Sequence, residues 1–375
     1  MEMSKVYFTD LRCTEGTTVL KKLEKLIRAA GIGDIDFQKK MVAIKLHFGE
    51  PGNVAYLRPN YAKVVADVVK SLGGVPFLTD CSTLYVGRRK NAIEHLEAAQ
   101  ENGFSPLTTG CQIIIGDGLR GNDEVEVPVA GAEYIQTAKI GKAIMEADVI
   151  ISLNHFKGHE QTGIGGAIKN LGMGCGSRQG KMEQHVEGKP VIKQEHCVGC
   201  RRCATQCAHS AISFDGENKA AIDWEKCVGC GRCYALCNTD AIRTGNSSSG
   251  EQLSCRMAEY AKAVVDGRPH FHISLVMDIS PYCDCHSDHD APILPDVGMF
   301  ASFDPVALDQ ACVEACQKEK PFPNSLLGEH MRAPGFVDRK DHFINSMPTT
   351  DWRVCLSHCE KLGIGSRKYE LITIR

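Results

Sequence analysis

Eight cysteines arranged as two copies of one spacing constrain this chain more than any other feature. In each copy three cysteines lie three residues apart, and a fourth follows four residues later. The copies consist of Cys197, Cys200, Cys203 and Cys207, and of Cys227, Cys230, Cys233 and Cys237. This spacing is typical of a chain that binds two [4Fe–4S] clusters, in which the fourth cysteine of each copy ligates the other cluster. The predicted ligand sets are therefore Cys197, Cys200, Cys203 and Cys237 for one cluster, and Cys227, Cys230, Cys233 and Cys207 for the other.

The likeness between the two copies extends beyond the cysteines and favours clusters over other metals. Glu195–Cys203 aligns with Glu225–Cys233, and each copy has one glycine, Gly199 or Gly229, between its first two cysteines. A glycine allows the backbone to pass close to a bulky cluster. Structural zinc sites usually separate their cysteines into two-ligand pairs. Zinc is the competing interpretation, and disulfides are a weaker one.

This segment resembles the bacterial two-cluster ferredoxins from Val191 to Thr244. The resemblance implies a small α+β domain. The chain departs from those ferredoxins at the residue after the fourth cysteine, which is usually proline there and is Ala208 and Asn238 in the two copies of this chain. This departure bears on the local backbone and on how much water reaches each cluster, and both affect the reduction potential.

Length and charge limit the classes of function. The chain has 375 residues and a formal net charge of −3; it exceeds a ferredoxin module by about 300 residues, and it has no basic field that would favour nucleic acid. The first residues lack the layout of a signal peptide, and no apolar run reaches the ~18 residues of a spanning helix, so we expect no membrane association. Because cluster ligands must stay thiolates, the 19 cysteines indicate a reducing, cytoplasmic setting, and an anaerobic host is the simplest one.

Outside the cysteine segment, short apolar runs alternate with helical patterns. Met41–Phe48 and Val75–Leu78 predict strands, and Tyr61–Leu72 between them predicts a helix. This alternation is typical of parallel strands joined by crossover helices. The run Asp148–Leu153 is apolar almost throughout, as buried parallel strands are. The same pattern resumes after the polar stretch Gly245–Gly250.

The sequence therefore predicts an α/β host domain with a mainly parallel sheet, interrupted by an α+β ferredoxin-like insert that binds two [4Fe–4S] clusters. The host domain consists of residues 1–190 and 251–375, and the insert consists of residues 191–245. Such insertions are tolerated where the two host segments lie close together at an exposed loop.

The host domain resembles the DUF362 family of iron–sulfur-associated proteins, which are widespread in anaerobes. The residues that carry this resemblance are Asn154–Gly174, with Gly165–Gly172 inside it, and Phe303–Asp309. The family has no agreed activity. The resemblance therefore implies an iron–sulfur context and supplies no substrate.

A glycine-rich stretch follows the buried strand, in the place where open α/β sheets put their ligand sites. Its candidate site residues are Asn154, His155, Lys157, His159, Lys169 and Asn170. Backbone amides, the lysines and the N-terminus of a helix that begins near Gly165 predict a site for an anion or a carbonyl group, and hence a small anionic substrate. The alternative is a tight connection with solvated charges. Lys45 and His47, at the end of an earlier strand, either join this crevice or stay solvated.

A second polar stretch, Asp278–Asp290, follows a later apolar strand. Its potential ligands are Cys283, Cys285, His286, Asp288, His289 and Asp290. Thiolates and imidazoles suit zinc or iron, so Cys283, Cys285, His286, Asp288 and His289 are candidate ligands of an additional metal ion, or contacts of the substrate. The alternative is a polar surface loop with two partly buried thiols, because Cys-x-Cys is an uncommon spacing for a metal site.

Most of the remaining cysteines predict packing. Four of them form two pairs on apolar stripes at helical spacing: Cys312 and Cys316, Cys355 and Cys359. We expect them in the core and not on a third cluster. Cys175, at the end of the glycine-rich stretch, is a candidate site residue. Asp304, just before a proline, predicts a helix N-cap.

Two functions from different classes fit these features. The first is an oxidoreductase of unknown substrate, in which the two clusters carry electrons between a redox partner protein or small electron carrier and a site in the α/β domain. It predicts a concave, cationic pocket close to one cluster. The second is a non-catalytic ferredoxin-like carrier or adaptor that docks a partner oxidoreductase, and it predicts that both polar loops lie splayed on the surface. Delivery of metal or clusters is a third option, and no flavin or nicotinamide fingerprint is present.

Overall fold

The computed structural model describes residues 3–84, 87–186, 190–205, 207, 209–227, 232–235, 237, 239, 241–244 and 250–375. Cys230, a member of the second predicted ligand set, lies outside these residues. So do Ala208, Gly229, Asn238 and residues 245–249 of the predicted polar stretch between insert and host.

Strands and helices alternate along much of the described chain. The strands are β1 (Ser4–Thr9), β2 (Met41–Lys45), β3 (Val75–Asp80), β4 (Gln112–Ile115), β5 (Glu124–Pro128), β6 (Thr137–Gly141), β7 (Val149–His155), β8 (Lys157–His159), β9 (Gly163–Gly165), β10 (Pro190–Ile192), β11 (Ile212–Phe214), β12 (Ala220–Ile222), β13 (Ile242–Thr244), β14 (His270–Val276), β15 (Gly298–Ser302) and β16 (Tyr369–Thr373). The helices are α1 (Val19–Ala29), α2 (Pro59–Ser71), α3 (Ala92–Glu101), α4 (Pro106–Thr109), α5 (Lys142–Glu146), α6 (Ala167–Cys175), α7 (Arg178–Val186), α8 (Arg202–Thr205), α9 (Arg232–Ala235), α10 (Gly250–Val265), α11 (Pro305–Cys316), α12 (Leu326–Arg332), α13 (His342–Ser346) and α14 (Trp352–Lys361). Short 3₁₀ turns cover Ile32–Asp34 and Gln194–His196.

An eight-stranded sheet in the order β16-β1-β15-β14-β7-β2-β3-β4 forms the centre of the molecule. Its neighbours are parallel except where β15 pairs with β1 and with β14. The predicted α/β class with a mainly parallel sheet is therefore confirmed. Strands on both sides of residues 191–245 belong to this one sheet, because β7 pairs in register with β14 from Ile150 opposite His270 to His155 opposite Leu275.

Helices cover both faces of the sheet, which explains the continuous apolar run of its central strand. Every residue of β7 is buried. Its successive side chains alternate between two cores: Ile150 packs with α6, α10 and α11, and Ile151 packs with α1 and α2. Because a strand covered on both faces has no solvated side, its sequence does not alternate between apolar and polar residues.

Residues 190–244 form small elements of their own where they are described. β10 pairs with β13 and β11 pairs with β12, both antiparallel, and α8 and α9 are single turns. A separate small core includes Cys197, Cys203, Tyr234 and Ala241. Among the described residues, no helix is both long enough and apolar enough to cross a membrane.

The cysteines predicted to pack do so. Cys312, Cys316, Cys355 and Cys359 are all buried in the core on the α10 face of the sheet. The N-cap prediction is also confirmed, because one carboxylate oxygen of Asp304 accepts from the backbone amides of Val306 and Ala307 at the start of α11.

Candidate functional site

A cavity of about 80 Å³ lies beyond the carboxyl ends of β2, β3 and β7. These strands are parallel neighbours, and their last residues are Lys45, Asp80 and His155. Because parallel strands end at the same edge of a sheet, the loops that follow them converge there. Lys45, Asp80 and His155 all line the cavity, together with residues of the glycine-rich stretch and of the loop after β14.

The glycine-rich stretch is not a plain loop but a short hairpin followed by a helix. β8 pairs with β9, and α6 begins two residues later. Gly158 shows why a glycine is needed: a Cβ there would lie 2.8 Å from the carbonyl oxygen of Pro281. The missing side chain lets the hairpin pack against the backbone of the loop after β14, where the amide of Gly158 donates to the carbonyl of Ser280 at 2.9 Å.

Asp284, which lies between the two cysteines of that loop, joins the two predicted stretches. Its carboxylate accepts from Nδ1 of His155 at 3.0 Å and from Nζ of Lys157 at 2.7 Å, and all three residues are buried. Burial raises the pKa of Asp284, but the charges of His155 and Lys157 outweigh burial and hold the pKa well below its usual range. Nε2 of His155 contacts the carbonyl oxygen of Met277 at 2.8 Å. His155 therefore fixes the loop and has no ring nitrogen directed at a ligand.

The two asparagines among the candidate residues position Lys45. Asn170 accepts from Nζ of Lys45 at 2.8 Å and donates to the side-chain oxygen of Asn154 at 2.8 Å. Asn154 in turn donates to the carbonyl of Ile273 at 2.9 Å, on the neighbouring strand. Lys45 also forms a buried ion pair with Asp80 at 2.9 Å. Asn154 and Asn170 thus hold the charge of Lys45 at the cavity wall.

Cys283 meets Lys169 inside the cavity. Nζ of Lys169 lies 2.8 Å from the sulfur of Cys283, and the side chains of both Cys283 and Cys285 are buried. A hydrogen bond from the Cys285 thiol and the charge of Lys169 lower the pKa of Cys283 well below its usual range, although burial opposes them. Burial and the neighbouring Cys283 raise the pKa of Cys285. The surroundings of the pair therefore favour the thiolate at Cys283 and the thiol at Cys285.

His159 presents a ring nitrogen to the same cavity. Its Nδ1 accepts from the backbone amides of Gln161 and Thr162, both at 3.1 Å, so the hydrogen of a neutral ring lies on Nε2. His159 is 1% exposed and lines the cavity; its Nε2 forms no hydrogen bond, and it lies 3.6 Å from a carboxylate oxygen of Glu160. A buried polar atom that forms no hydrogen bond at a cavity wall is suited to contact a ligand.

The other candidate metal ligands are not grouped with the two cysteines. His286 lies 3.1 Å from Glu160, whose other carboxylate oxygen accepts from the amide of Cys283 at 3.3 Å. Burial raises the pKa of Glu160, but the charge of His159 and the hydrogen bond from His286 outweigh burial and lower it to about 2. Asp288 is exposed and His289 is half-buried. Within the part of the chain that the structure describes, no three His, Cys, Asp or Glu side chains are grouped so as to hold a metal ion.

Cations dominate the cavity wall. The cationic side chains that line it are Lys45, Lys157, Lys169, Lys181 and Arg89. Four of them are paired: Lys45 with Asp80, Lys157 with Asp284, Lys169 with Cys283 and Arg89 with Glu50. Burial lowers the pKa of His185, another lining residue, to about 4, and it lowers that of His47. Those two rings are therefore neutral at pH 7. This arrangement favours a small anion.

The prediction that the N-terminus of a helix near Gly165 contributes to the anion site is wrong. The amides of Ala167 and Ile168, at the start of α6, donate to the carboxylate of Asp309 at 2.7 and 3.0 Å. Gly166 makes room for this carboxylate, since a Cβ there would lie 2.2 Å from it. Burial raises the pKa of Asp309 to about 7. The first two amides of the helix are thus capped from within the protein and do not donate to a ligand in the cavity.

A second, smaller cavity lies in the cysteine segment. It measures about 20 Å³, and its lining includes Cys197, Cys200, Cys203 and Cys237. The amide of Ala220 donates to the sulfur of Cys197 at 3.4 Å, and the amide of Ala211 donates to that of Cys207 at 3.2 Å. The cysteines of one predicted ligand set thus line one space, but among the described residues they are not grouped closely enough to hold a metal ion, so the cluster stays a prediction. Cys207, Cys227 and Cys233 of the other set are half-buried.

Two consecutive residues connect the cavities. Arg89 lines the large cavity and pairs with Glu50 at 2.8 Å. Its neighbour Lys90 donates from Nζ to the carbonyl oxygen of Cys237 at 3.3 Å and lies 5.9 Å from the ring centre of Tyr234. Adjacent residues of one segment therefore contact the cationic cavity and the backbone of Cys237.

Several residues of the site were not found from the sequence. Asp80 ends a parallel strand, as Lys45 does, so its position at the strand end could have identified it. Asp284 and Glu160 lie inside the two polar stretches but are neither thiols nor imidazoles, so they were not singled out. Lys181 lies on α7 and carries no strand-end signal, and Cys175, which had been singled out, is buried outside the lining of the cavity.

The fold and the site together define an α/β protein with a small cationic cavity at the carboxyl edge of a mainly parallel sheet. The chain belongs to the DUF362 family, a domain of unknown function, which matches residues 42–314. It is also similar to the thylakoid-associated protein sll1697 of Synechocystis sp., with 27% identity over 177 residues that cover 46% of this chain and 51% of that protein. The chain thus spans about half the length of this curated relative.

Two solved structures are similar at low identity. A protein from Thermotoga maritima has a TM-score of 0.41 and 13% identity, covering 80% of this chain and 57% of its own. The lactate racemase apoprotein from Thermoanaerobacterium thermosaccharolyticum has a TM-score of 0.40 and 12% identity, covering 99% of this chain and 83% of its own.

Proposed function

We propose that this chain is an iron–sulfur oxidoreductase that passes electrons between a redox partner and a small anion held in the cationic cavity. The observation that carries the proposal is the contact of Lys90 with Cys237, next to Arg89 in the cavity wall. A site that exchanges electrons with a cluster must lie near it, and this contact provides the proximity. The partner is a redox protein or a small electron carrier.

Residues 191–245 are the proposed ferredoxin-like insert. Cys197, Cys200, Cys203 and Cys237 would hold one [4Fe–4S] cluster, and Cys207, Cys227, Cys230 and Cys233 would hold the other. Such clusters supply one electron each at a potential set by hydrogen bonds and solvent exposure. The amides that donate to Cys197 and Cys207 are of the kind that tunes this potential. Thiolate ligation also places the protein in a reducing compartment, which we propose to be the cytoplasm.

The host domain is the proposed site of chemistry. Its cavity is lined by the β8–β9 hairpin and by the loop after β14, which Asp284 holds together. Because the cations of the wall are largely buried, they act on a bound anion more strongly than they would in bulk solvent. A carrier or adaptor that only docks a partner has no need of five buried or half-buried cations around one small cavity, so we favour the enzyme over that alternative.

The test is anaerobic reoxidation of the reduced holoprotein. We expect that, after reduction by dithionite and removal of excess reductant, at least one of a panel of small anions that includes thiosulfate and nitrite restores the oxidised visible spectrum. The Lys157→Met variant loses this reoxidation, while Lys63→Met, which removes an exposed lysine of α2, retains it. If no anion reoxidises the wild type, or if both variants behave alike while a protein partner still accepts electrons, the chain is a carrier.

A further inference from the structure

We infer that Cys283 and Cys285 form a redox-active thiol pair, in which Cys283 attacks the sulfur–sulfur bond of a small anion and Cys285 resolves the product. This inference names a substrate class for the proposed oxidoreductase. It depends on the proposed function only for the source of electrons, because the thiol chemistry itself requires no cluster.

The first ground is the contact between Cys283 and Lys169. A thiolate is the nucleophilic form of cysteine, and a lysine at 2.8 Å stabilises it. Cys283 is 1% exposed, so this charge pair is shielded from water and lies within the cavity lining. A structural cysteine of the core needs no such partner, and the core cysteines of α11 and α14 are buried among apolar side chains.

The second ground is the position of Cys285. The amide of His286 donates to the carbonyl of Cys283 at 3.1 Å, which closes a tight turn over residues 283–286. A turn brings residues two positions apart to a Cα separation that a disulfide can span, roughly 4.4–6.8 Å. Both thiols line the same cavity. A second thiol within reach can resolve a covalent product on the first.

The third ground is the choice of substrate. The cations of the wall select an anion, and a cavity of about 80 Å³ favours a small one. A thiolate attacks sulfur readily through exchange. A small anion with a reducible sulfur–sulfur bond therefore fits both the wall and the nucleophile. Nε2 of His159 lies on the same wall and can donate a hydrogen bond to the bound anion.

Atoms and electrons balance across the proposed steps. The sulfur of Cys283 forms a bond to one sulfur of the anion, whose sulfur–sulfur bond breaks, and the other fragment leaves with the bonding electron pair. Cys285 then attacks Cys283, which forms a Cys283–Cys285 disulfide; the transferred sulfur leaves with the second electron pair and takes the proton that Cys285 gives up. Two electrons from low-potential one-electron donors and one proton return the pair to a thiolate and a thiol.

Alkylation of the native, reduced protein tests the nucleophile. Iodoacetate is anionic and iodoacetamide is neutral, so the cavity favours the former, whereas exposed Cys13 serves as an internal reference within the same molecule. We expect the ratio of iodoacetate labelling to iodoacetamide labelling to be at least about tenfold higher at Cys283 than at Cys13. In the Lys169→Met variant, we expect labelling of Cys283 to be slower by about tenfold or more at pH 6. Equal ratios at the two cysteines, or no labelling of Cys283 while Cys13 reacts, contradict the inference.

Thiosulfate tests the pair in the absence of any added electron donor. One turnover should release about one sulfite per chain and leave a Cys283–Cys285 disulfide that mass spectrometry detects after digestion. Cys285→Ser should release sulfite but keep the persulfide on Cys283, and Cys283→Ser should release none, with Cys13→Ser as the control that behaves as wild type. Sulfite release that is the same in Cys283→Ser and in wild type overturns the inference. Because this half-reaction uses only the two thiols, it can succeed even if the cluster proposal fails, and the reverse is also possible.

Discussion

Asp284 shows how one carboxylate can organise a site made from distant parts of the chain. It contacts His155 and Lys157, about 130 positions earlier in sequence than itself, and its backbone oxygen accepts from the amide of Glu50 at 3.0 Å. A buried charge is tolerated only when it is paired and hydrogen-bonded. The loops after β2, β7 and β14 therefore depend on this one residue.

Replacing Asp284 should expose that dependence. In Asp284→Asn, Lys157 and His155 lose their buried counter-charge, and we expect the free energy of unfolding to fall by about 3–5 kcal/mol. Denaturant unfolding followed by circular dichroism measures this change. The matched control is Asp36→Asn, which breaks the exposed pair with Lys40 and should leave the unfolding midpoint unchanged. Equal effects of the two changes would show that Asp284 is not the structural link.

Lys90 allows a second prediction at the same scale. Its ammonium group lies beside the backbone of Cys237, and a nearby positive charge stabilises the reduced, more negative form of a bound cluster. If the proposed cluster is bound by Cys197, Cys200, Cys203 and Cys237, Lys90→Gln should lower its midpoint potential by an amount on the order of tens of millivolts. Redox potentiometry followed by electron paramagnetic resonance measures it. Lys63→Gln is the control, and identical potentials in all three proteins would contradict the assignment.

At the scale of elements, helix α6 carries a feature that the sequence did not show. Its first amides are capped by Asp309, which comes from α11, after residues 191–245 in the sequence. The prediction of a ligand at this helix end relied on the nearby glycines. Those glycines instead provide room for Asp309 and for the backbone of the loop after β14. Tertiary contacts decide which polar group caps a helix N-terminus, and the spacing of residues in the sequence does not reveal these contacts.

Asp309 makes the stability of the protein depend on pH. Burial raises its pKa to about 7, above the value of about 4 that an unfolded chain would show. The folded state therefore binds more protons between these two values, so this group's contribution to stability is full below about pH 4 and is lost as the pH rises towards 7 and above. The slope is at most about 1.4 kcal/mol per pH unit.

The Asp309→Asn variant isolates this contribution. The asparagine keeps one acceptor for the helix amides and cannot titrate. As the pH rises from 5 to 8, the stability advantage of the wild type over the variant should therefore shrink, and the variant should then become the more stable of the two. Denaturant titrations at several pH values measure the difference. A difference that stays constant over this range would show that Asp309 does not titrate there.

At the scale of the whole molecule, the parallel sheet was predictable and the site was predictable only in part. The run Asp148–Leu153 identified a buried strand because burial on both faces leaves no polar alternation, and the strand-end rule found Lys45, Lys157 and Lys169. That rule does not tell which of these side chains contact a ligand and which only position a neighbouring side chain. His155, Asn154 and Asn170 were candidates for ligand binding, and the structure places their polar atoms against protein groups.

The geometry of the cavity explains why the remaining residues were out of reach. Lys181 and Arg89 come from α7 and from the segment before α3, and their approach to the strand ends depends on helix packing. Asp288 and His289 had the right chemistry for metal binding, but the turn at residues 283–286 directs the two cysteines inwards while Asp288 lies exposed and His289 is half-buried. The sequence showed which residues have side chains suited to metal binding, but it did not show in which direction those side chains point.

Iron and acid-labile sulfide per chain, determined on anaerobically purified protein, test the central claim of two cubane clusters most directly. We predict about eight of each, falling to about four in Cys237→Ser, with a brown colour that bleaches on reduction. A colourless protein that holds zinc and no iron would contradict the account.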